Sequence, residues 1–154
     1  MPSKALIALT VALLISACMQ DVNSQLIEAG RQGDARNIEG LLAAGAEVDA
    51  KDEKGVTALL YASSEGHSAS VEALLDAGAD VDAQANDGMT ALMVVAKGNT
   101  EIVRALLEAG ANVDAMADRG VTALVMTERN GYIEIAELLE KAGAGEQAPQ
   151  VPAE

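Results

Sequence analysis

The sequence predicts an all-α repeat solenoid of four stacked helix-turn-helix units with connecting β-turn loops. Three observations predict it. Related blocks begin at Ser24, Thr57, Thr90 and Thr122, so their starts lie 33, 33 and 32 residues apart. Glycines recur at fixed places in the blocks: Gly66, Gly98 and Gly131 at one, and Gly45, Gly78, Gly110 and Gly143 at another. Each block also carries a helix-spaced apolar stripe that no single helix pair can bury, so stacked neighbours must bury it together.

Within a block the elements come in a fixed order. Thr57, Thr90 and Thr122 precede apolar runs and suit N-caps, because a threonine hydroxyl satisfies a free N–H of the first helical turn; Ser24 stands at that place in the first block. Eight or so residues then make a short helix, closed by a glycine that tolerates positive φ. A second helix comes next, with apolar residues at helical spacing, as in Val71, Leu74 and Leu75 or Val103, Leu106 and Leu107. The run Gly78-Ala79-Asp80-Val81-Asp82-Ala83 opens the long loop to the next block.

The period and the glycine positions resemble those of ankyrin repeats over nearly the whole chain from residue 24, with repeats at about 24–55, 57–88, 90–120 and 122–143. The family's Thr-Pro-Leu-His is Thr-Ala-Leu-Leu, Thr-Ala-Leu-Met and Thr-Ala-Leu-Val here, so Leu60, Met93 and Val125 must replace by packing what a histidine supplies by hydrogen bonding. The third block is one residue short before Gly98. A deletion inside a helix turns the downstream residues by about 100°, and a tighter turn at Lys97-Gly98-Asn99 is expected to absorb it. At the far end, Thr127-Glu128 replaces Ala62-Ser63 and Glu140 replaces Leu75, placing charge where a terminal repeat faces water. Residues 144–154 contain prolines and no apolar pattern, and are expected to be a disordered tail.

Residues 1–17 read as an export signal. Lys4 precedes a run from Ala5 to Ala17 without an ionisable residue, too short for a bilayer core that takes roughly 20 helical residues. Leu14-Ile15-Ser16-Ala17-Cys18 resembles the lipobox of bacterial lipoprotein precursors, which implies a lipid on the chain's only cysteine, Cys18, and a short tether at 18–23. An ordinary secretory peptide is the alternative, although Ile15 is a poor match to its A-x-A cleavage pattern. The implied location is a bacterial envelope, facing the periplasm. Met19 stands where an Asp resembles an inner-membrane retention signal, so the outer membrane is favoured.

Composition excludes several functions. A formal charge of -14, scattered basic residues, no Trp and no Phe argue against nucleic acid, whose phosphates need clustered Lys and Arg. No basic amphipathic helix is present for an anionic membrane, which leaves the lipid as the membrane contact. The one histidine, His67, sits where ankyrin repeats carry a structural histidine, and a local hydrogen bond is expected rather than a catalytic base. With Cys18 committed to the anchor, a Cys/His metal site is excluded. Asp49, Asp82 and Asp114 recur up the stack, but helices pack about 10 Å apart and metal ligands must converge. They are read as loop residues bonding to nearby backbone. No enzyme activity, cofactor or metal is expected.

The resemblance implies a monomeric protein-binding module that uses loop tips and the exposed side of the first helices. The tips carried over by position are Lys51, Glu53, Lys54 and Val56; Gln84, Asn86, Asp87 and Met89; and Met116, Asp118, Arg119 and Val121. Val56, Met89 and Val121 each come directly after a tip glycine and are expected to form an apolar column flanked by charge. The alternative is that they are partly buried beneath the loops. The acidic surface suits a basic protein partner. Two roles fit: a scaffold for a periplasmic protein, or an inhibitor or immunity protein that blocks an exported toxin or hydrolase.

Overall fold

The N-terminal segment enters the fold as one long helix, α1 (Lys4–Gln32). The computed structural model describes residues 4–95 and 98–144, except for the side chains at 5, 6 and 16–20. Ser24, expected as an N-cap, lies inside α1 rather than at its start. The cause is local: Cys18-Met19-Gln20-Asp21-Val22-Asn23 contains neither Gly nor Pro, so nothing stops helix from propagating through the expected tether. The first half of α1 leaves Ile7, Leu9, Val11, Leu13, Leu14 and Ile15 exposed, whereas Leu26 and Ala29 in the second half are buried. No helix among the described residues is long and apolar enough to cross a membrane.

Seven more α-helices follow among the described residues, with a 3-10 turn at Asp118–Gly120 in the last tip: α2 (Ala35–Ala43), α3 (Ala58–Glu65), α4 (Ser68–Asp76), α5 (Ala91–Val94), α6 (Thr100–Glu108), α7 (Ala123–Asn130) and α8 (Ile133–Lys141). They pair as α1 with α2, α3 with α4, α5 with α6 and α7 with α8. The pairs stack so that α1, α3, α5 and α7 form one row and α2, α4, α6 and α8 the other. The core runs between the rows, through Leu26, Ile38, Leu59, Leu74, Ile102, Leu106 and Leu139, all fully buried. This is the predicted all-α solenoid.

Local signals set most of the boundaries. Thr57 Oγ1 accepts from Leu60 N at 3.3 Å and Thr122 Oγ1 from Val125 N at 3.4 Å. Asp34 and Asn99 cap α2 and α6 in the same way, at 3.1 and 3.2 Å. Thr90 departs from the expected pattern: its hydroxyl is buried without a hydrogen-bond partner. Gly66 and Gly131 close α3 and α7 in the left-handed region, as their recurrence predicts.

The third repeat shows where its missing residue went. Helix α5 has four residues, against eight for α3 and α7. Its partner stays in phase, because Ile102, Val103 and Leu106 are buried at the positions of Ser70, Val71 and Leu74. The deletion therefore shortens the inner helix instead of rotating the outer one, and the expected eight-residue helix is not formed. Of the expected tight turn, Lys97 lies outside the described residues, Gly98 takes a φ of 67° and Asn99 caps α6.

The ends are asymmetric. Glu128 and Glu140 are exposed on the last repeat, and Ala144, the first residue of the expected tail, is buried against the core. Residues 145–154, the rest of that tail, lie outside the described residues. At the other end α1 approaches α3 so closely that a Cβ on Gly30 would stand 2.6 Å from the Ala58 carbonyl oxygen.

Candidate functional site

Each loop between repeats folds into a small hairpin. Asp52 N donates to Val56 O at 3.1 Å, Ala85 N to Met89 O at 3.0 Å and Ala117 N to Val121 O at 2.9 Å, so the three tips share one geometry. Successive tips are tied together as well. Asn86 N donates to Lys54 O at 2.9 Å and Asp118 N to Asp87 O at 3.0 Å. Side chains add to this: Lys51 Nζ donates to Gln84 O at 2.9 Å, Asn86 Nδ2 to Glu53 O at 3.0 Å and Gln84 Nε2 to Met116 O at 3.4 Å.

The tip residues named from the sequence are thus placed as a continuous edge. Lys51, Glu53, Lys54, Asn86, Asp87, Met116, Asp118 and Arg119 are exposed or half-buried, Met116 at 59%. Val56, Met89 and Val121 occupy equivalent hairpin positions and are half-buried, with Met89 and Val121 packed against the core. All five of these bonds end on backbone carbonyl oxygens, so none of them uses the carboxylates of Glu53 and Asp118 or the ammonium of Lys54. Arg119 adopts a positive φ of 65°, the only described non-glycine residue to do so.

One polar unit on this edge has no counterpart among the sequence expectations. The Tyr61 hydroxyl, on α3, donates to Asp52 Oδ2 at 2.9 Å, while Asp52 Oδ1 accepts from Lys54 N and Val56 N at 2.8 and 2.9 Å. Burial pushes the Asp52 carboxyl up, but the Val56 N–H, the Tyr61 hydroxyl and the Lys54 N–H outweigh it and hold the group below its usual range. The same bond to Asp52, together with burial, raises the Tyr61 phenol. A depressed carboxyl contributes stability above its unfolded pKa and loses it as pH falls through the folded value. The expected result is that Asp52→Asn flattens the fall in urea stability below about pH 4; an unchanged acid limb would show that the pair adds nothing. A sequence signal existed: Asp52 stands where later repeats have Ala85 and Ala117, and Tyr61 where they have Val94 and Met126.

Two ladders hold the repeats in register on other faces. Asp49 Oδ1 accepts from Asp80 N and Asp82 Oδ1 from Asn112 N, each at 2.8 Å, and Asn23 Oδ1, just before the first repeat, accepts from Glu47 N of that repeat's own loop at the same distance. Asp49 and Asp82 were expected to bond to nearby backbone, and the backbone that each meets is that of the next repeat. The second ladder runs along the N-termini of the outer helices. His67 Nε2 lies 3.2 Å from Arg31 O, and Asn99 Nδ2 donates to Gly66 O at 3.4 Å. His67 therefore bonds to the preceding repeat, across 36 residues of sequence, rather than locally. Its ring covers Gly33, as the Tyr132 ring covers Gly98.

Two cavities flank these features. A groove of about 950 Å³ lies between α1 and the first tip, with Ile15, Asn23, Ile27, Lys51 and Glu53 among its walls. Another, of about 450 Å³, opens between the third and fourth repeats beside short α5 and is lined by Met89, Met93 and Met126. Among the described residues no group of three or more His, Cys, Asp or Glu is gathered for a metal ion. Cys18 falls within α1, and its side chain is outside the described residues.

Comparison with known proteins agrees with this geometry. A family model described as ankyrin repeats (3 copies) matches residues 8–85, 26–117 and 78–148, which together span most of the chain. No curated protein matches it.

Proposed function

From the premise that the chain belongs to the ankyrin-repeat family, we propose that it is a non-catalytic protein-binding module, held on the periplasmic face of a bacterial envelope membrane by a lipid on Cys18. Its partner is an envelope or exported protein that meets the edge formed by the three tips. The observation that carries this reading is the edge itself: three hairpins of one geometry, bonded tip to tip, with apolar residues at one register and exposed charge around them. A pre-ordered surface of this kind loses little entropy on binding. Its acidic surroundings favour a basic partner, and Met19 favours outer-membrane attachment. A scaffold leaves the partner's activity intact, whereas an inhibitor abolishes it.

Changing Val56, Met89 and Val121 together to Asp should remove capture of the partner from envelope extract while circular dichroism stays helical. Retention of the same partner at equal strength would sink the assignment of the edge. In the same fractions, a Cys18→Ser chain should move from membranes to the soluble pool. A variant that stays with membranes excludes the lipid anchor.

A further inference from the structure

The C-terminal end of the stack is built like the joints within it, but nothing among the described residues covers it. Val125 occupies the position of Leu60 and Met93, which are buried to 2% and 4% with a further repeat stacked beyond them; Val125 is 38% exposed. Ile133 occupies the position of Ser68, whose hydroxyl donates to Glu101 of the next repeat, and it is 72% exposed. Between α7 and α8 lies a groove of about 310 Å³, floored by Thr127, Tyr132 and Ala136. Its rim carries Glu128, Glu137 and Glu140. A purely solvated cap has no need of an isoleucine this exposed, and a joint for another repeat of this chain has no need of three carboxylates.

We propose that this end face docks a basic amphipathic α-helix of another protein, which lies across α7 and α8 where a fifth repeat would stack. The helix sets apolar side chains on Val125 and Ile133, and its lysines or arginines meet Glu128, Glu137 and Glu140. Charge decides against the other occupants. Residues 145–154 contain Glu146 and Glu154 and no lysine or arginine. A second copy brings a net charge of -14 and, across a two-fold axis, the same three carboxylates. The inference rests on the reading of the chain as a binding module and adds a second surface to it.

The probe is a synthetic helical peptide with leucine on one face and lysine on the rest, set against a shuffled peptide of the same composition. Both are titrated calorimetrically into the full chain. The helical peptide should bind about tenfold more tightly than the shuffled one, and less so as salt screens the rim. Ile133→Glu should erase the difference, as should Glu137→Gln with Glu140→Gln, while the Val56, Met89 and Val121 triple variant keeps it. All of these side chains are exposed or half-buried, and helical circular dichroism confirms folding. Equal binding of the two peptides, or a preference that survives both end-face variants, overturns the proposal. So does a tenfold gain on removing residues 145–154, which would make the tail the occupant, or a dimer that Ile133→Glu dissolves. Failure of the module reading itself is scored separately, by partner capture with the tip variant.

Discussion

Gly30→Ala is expected to lower stability by about 2 kcal/mol, whereas the same change at Gly40 raises it by about 0.5–1 kcal/mol. Both glycines lie inside helices, in α1 and α2, and alanine improves helix propensity at either place. What differs is the space around them. A Cβ on Gly30 would meet the Ala58 carbonyl oxygen at 2.6 Å and its Cα at 2.9 Å, and backbone has no rotamer by which to move aside. At Gly40 nothing lies within 4 Å. The loss at Gly30 therefore comes from prising α1 off α3, the joint that attaches the first repeat. Urea unfolding checks the pair: midpoints that shift in opposite directions support the close approach, and a Gly30→Ala midpoint at or above wild type refutes it.

The second large effect is expected at Leu106→Ala, which should cost about 3 kcal/mol. Leu106 and Leu139 are both fully buried at equivalent places in their outer helices, so the cavity created is alike. Their neighbours differ. Among the described residues helix α6 packs on both α4 and α8, while α8 has α6 alone beside it in its row. In a stack held by nearest-neighbour contacts, damage at an interior repeat uncouples both sides, and damage at an end frays the end alone. The third repeat is also the one with the shortened inner helix. Hydrogen exchange should show Leu106→Ala opening residues 98–144 while residues 26–76 stay protected; Leu139→Ala should loosen α7 and α8 only. Uniform loss of protection in both variants would mean that the chain unfolds as a single unit and that the weak joint lies elsewhere.

The repeats are legible in the sequence because their punctuation is local. A threonine cap and a left-handed glycine need only a few neighbouring residues to act, and Thr57, Thr122, Gly66 and Gly131 do what their positions imply. Two boundaries differ from expectation for one reason, that helix length depends on what fails to interrupt it or on how much chain is present. Residues 18–23 lack a breaker, so α1 passes through Ser24; the third block lacks a residue, so α5 is cut short. The bonds of His67, Asp49 and Asp82 leave their own loops because sequence shows which side chain can bond but not which carbonyl or N–H the stack delivers. The tips were placed by resemblance. The Asp52–Tyr61 pair is visible in the sequence only as two departures from the repeat pattern in a single block, and pairing them requires the fold.

The ladder of Asp49 and Asp82 has a consequence for how such a protein changes length over evolution. Each joint matches a side-chain oxygen with a main-chain N–H, of Asp80 or Asn112, so the donor's own side chain does not enter. A duplicated block carries its acceptor with it and finds a usable donor whatever residue its new neighbour presents. Blocks can be copied or lost whole without redesigning this seam, leaving exposed positions on the tips and the end face free to diverge towards new partners.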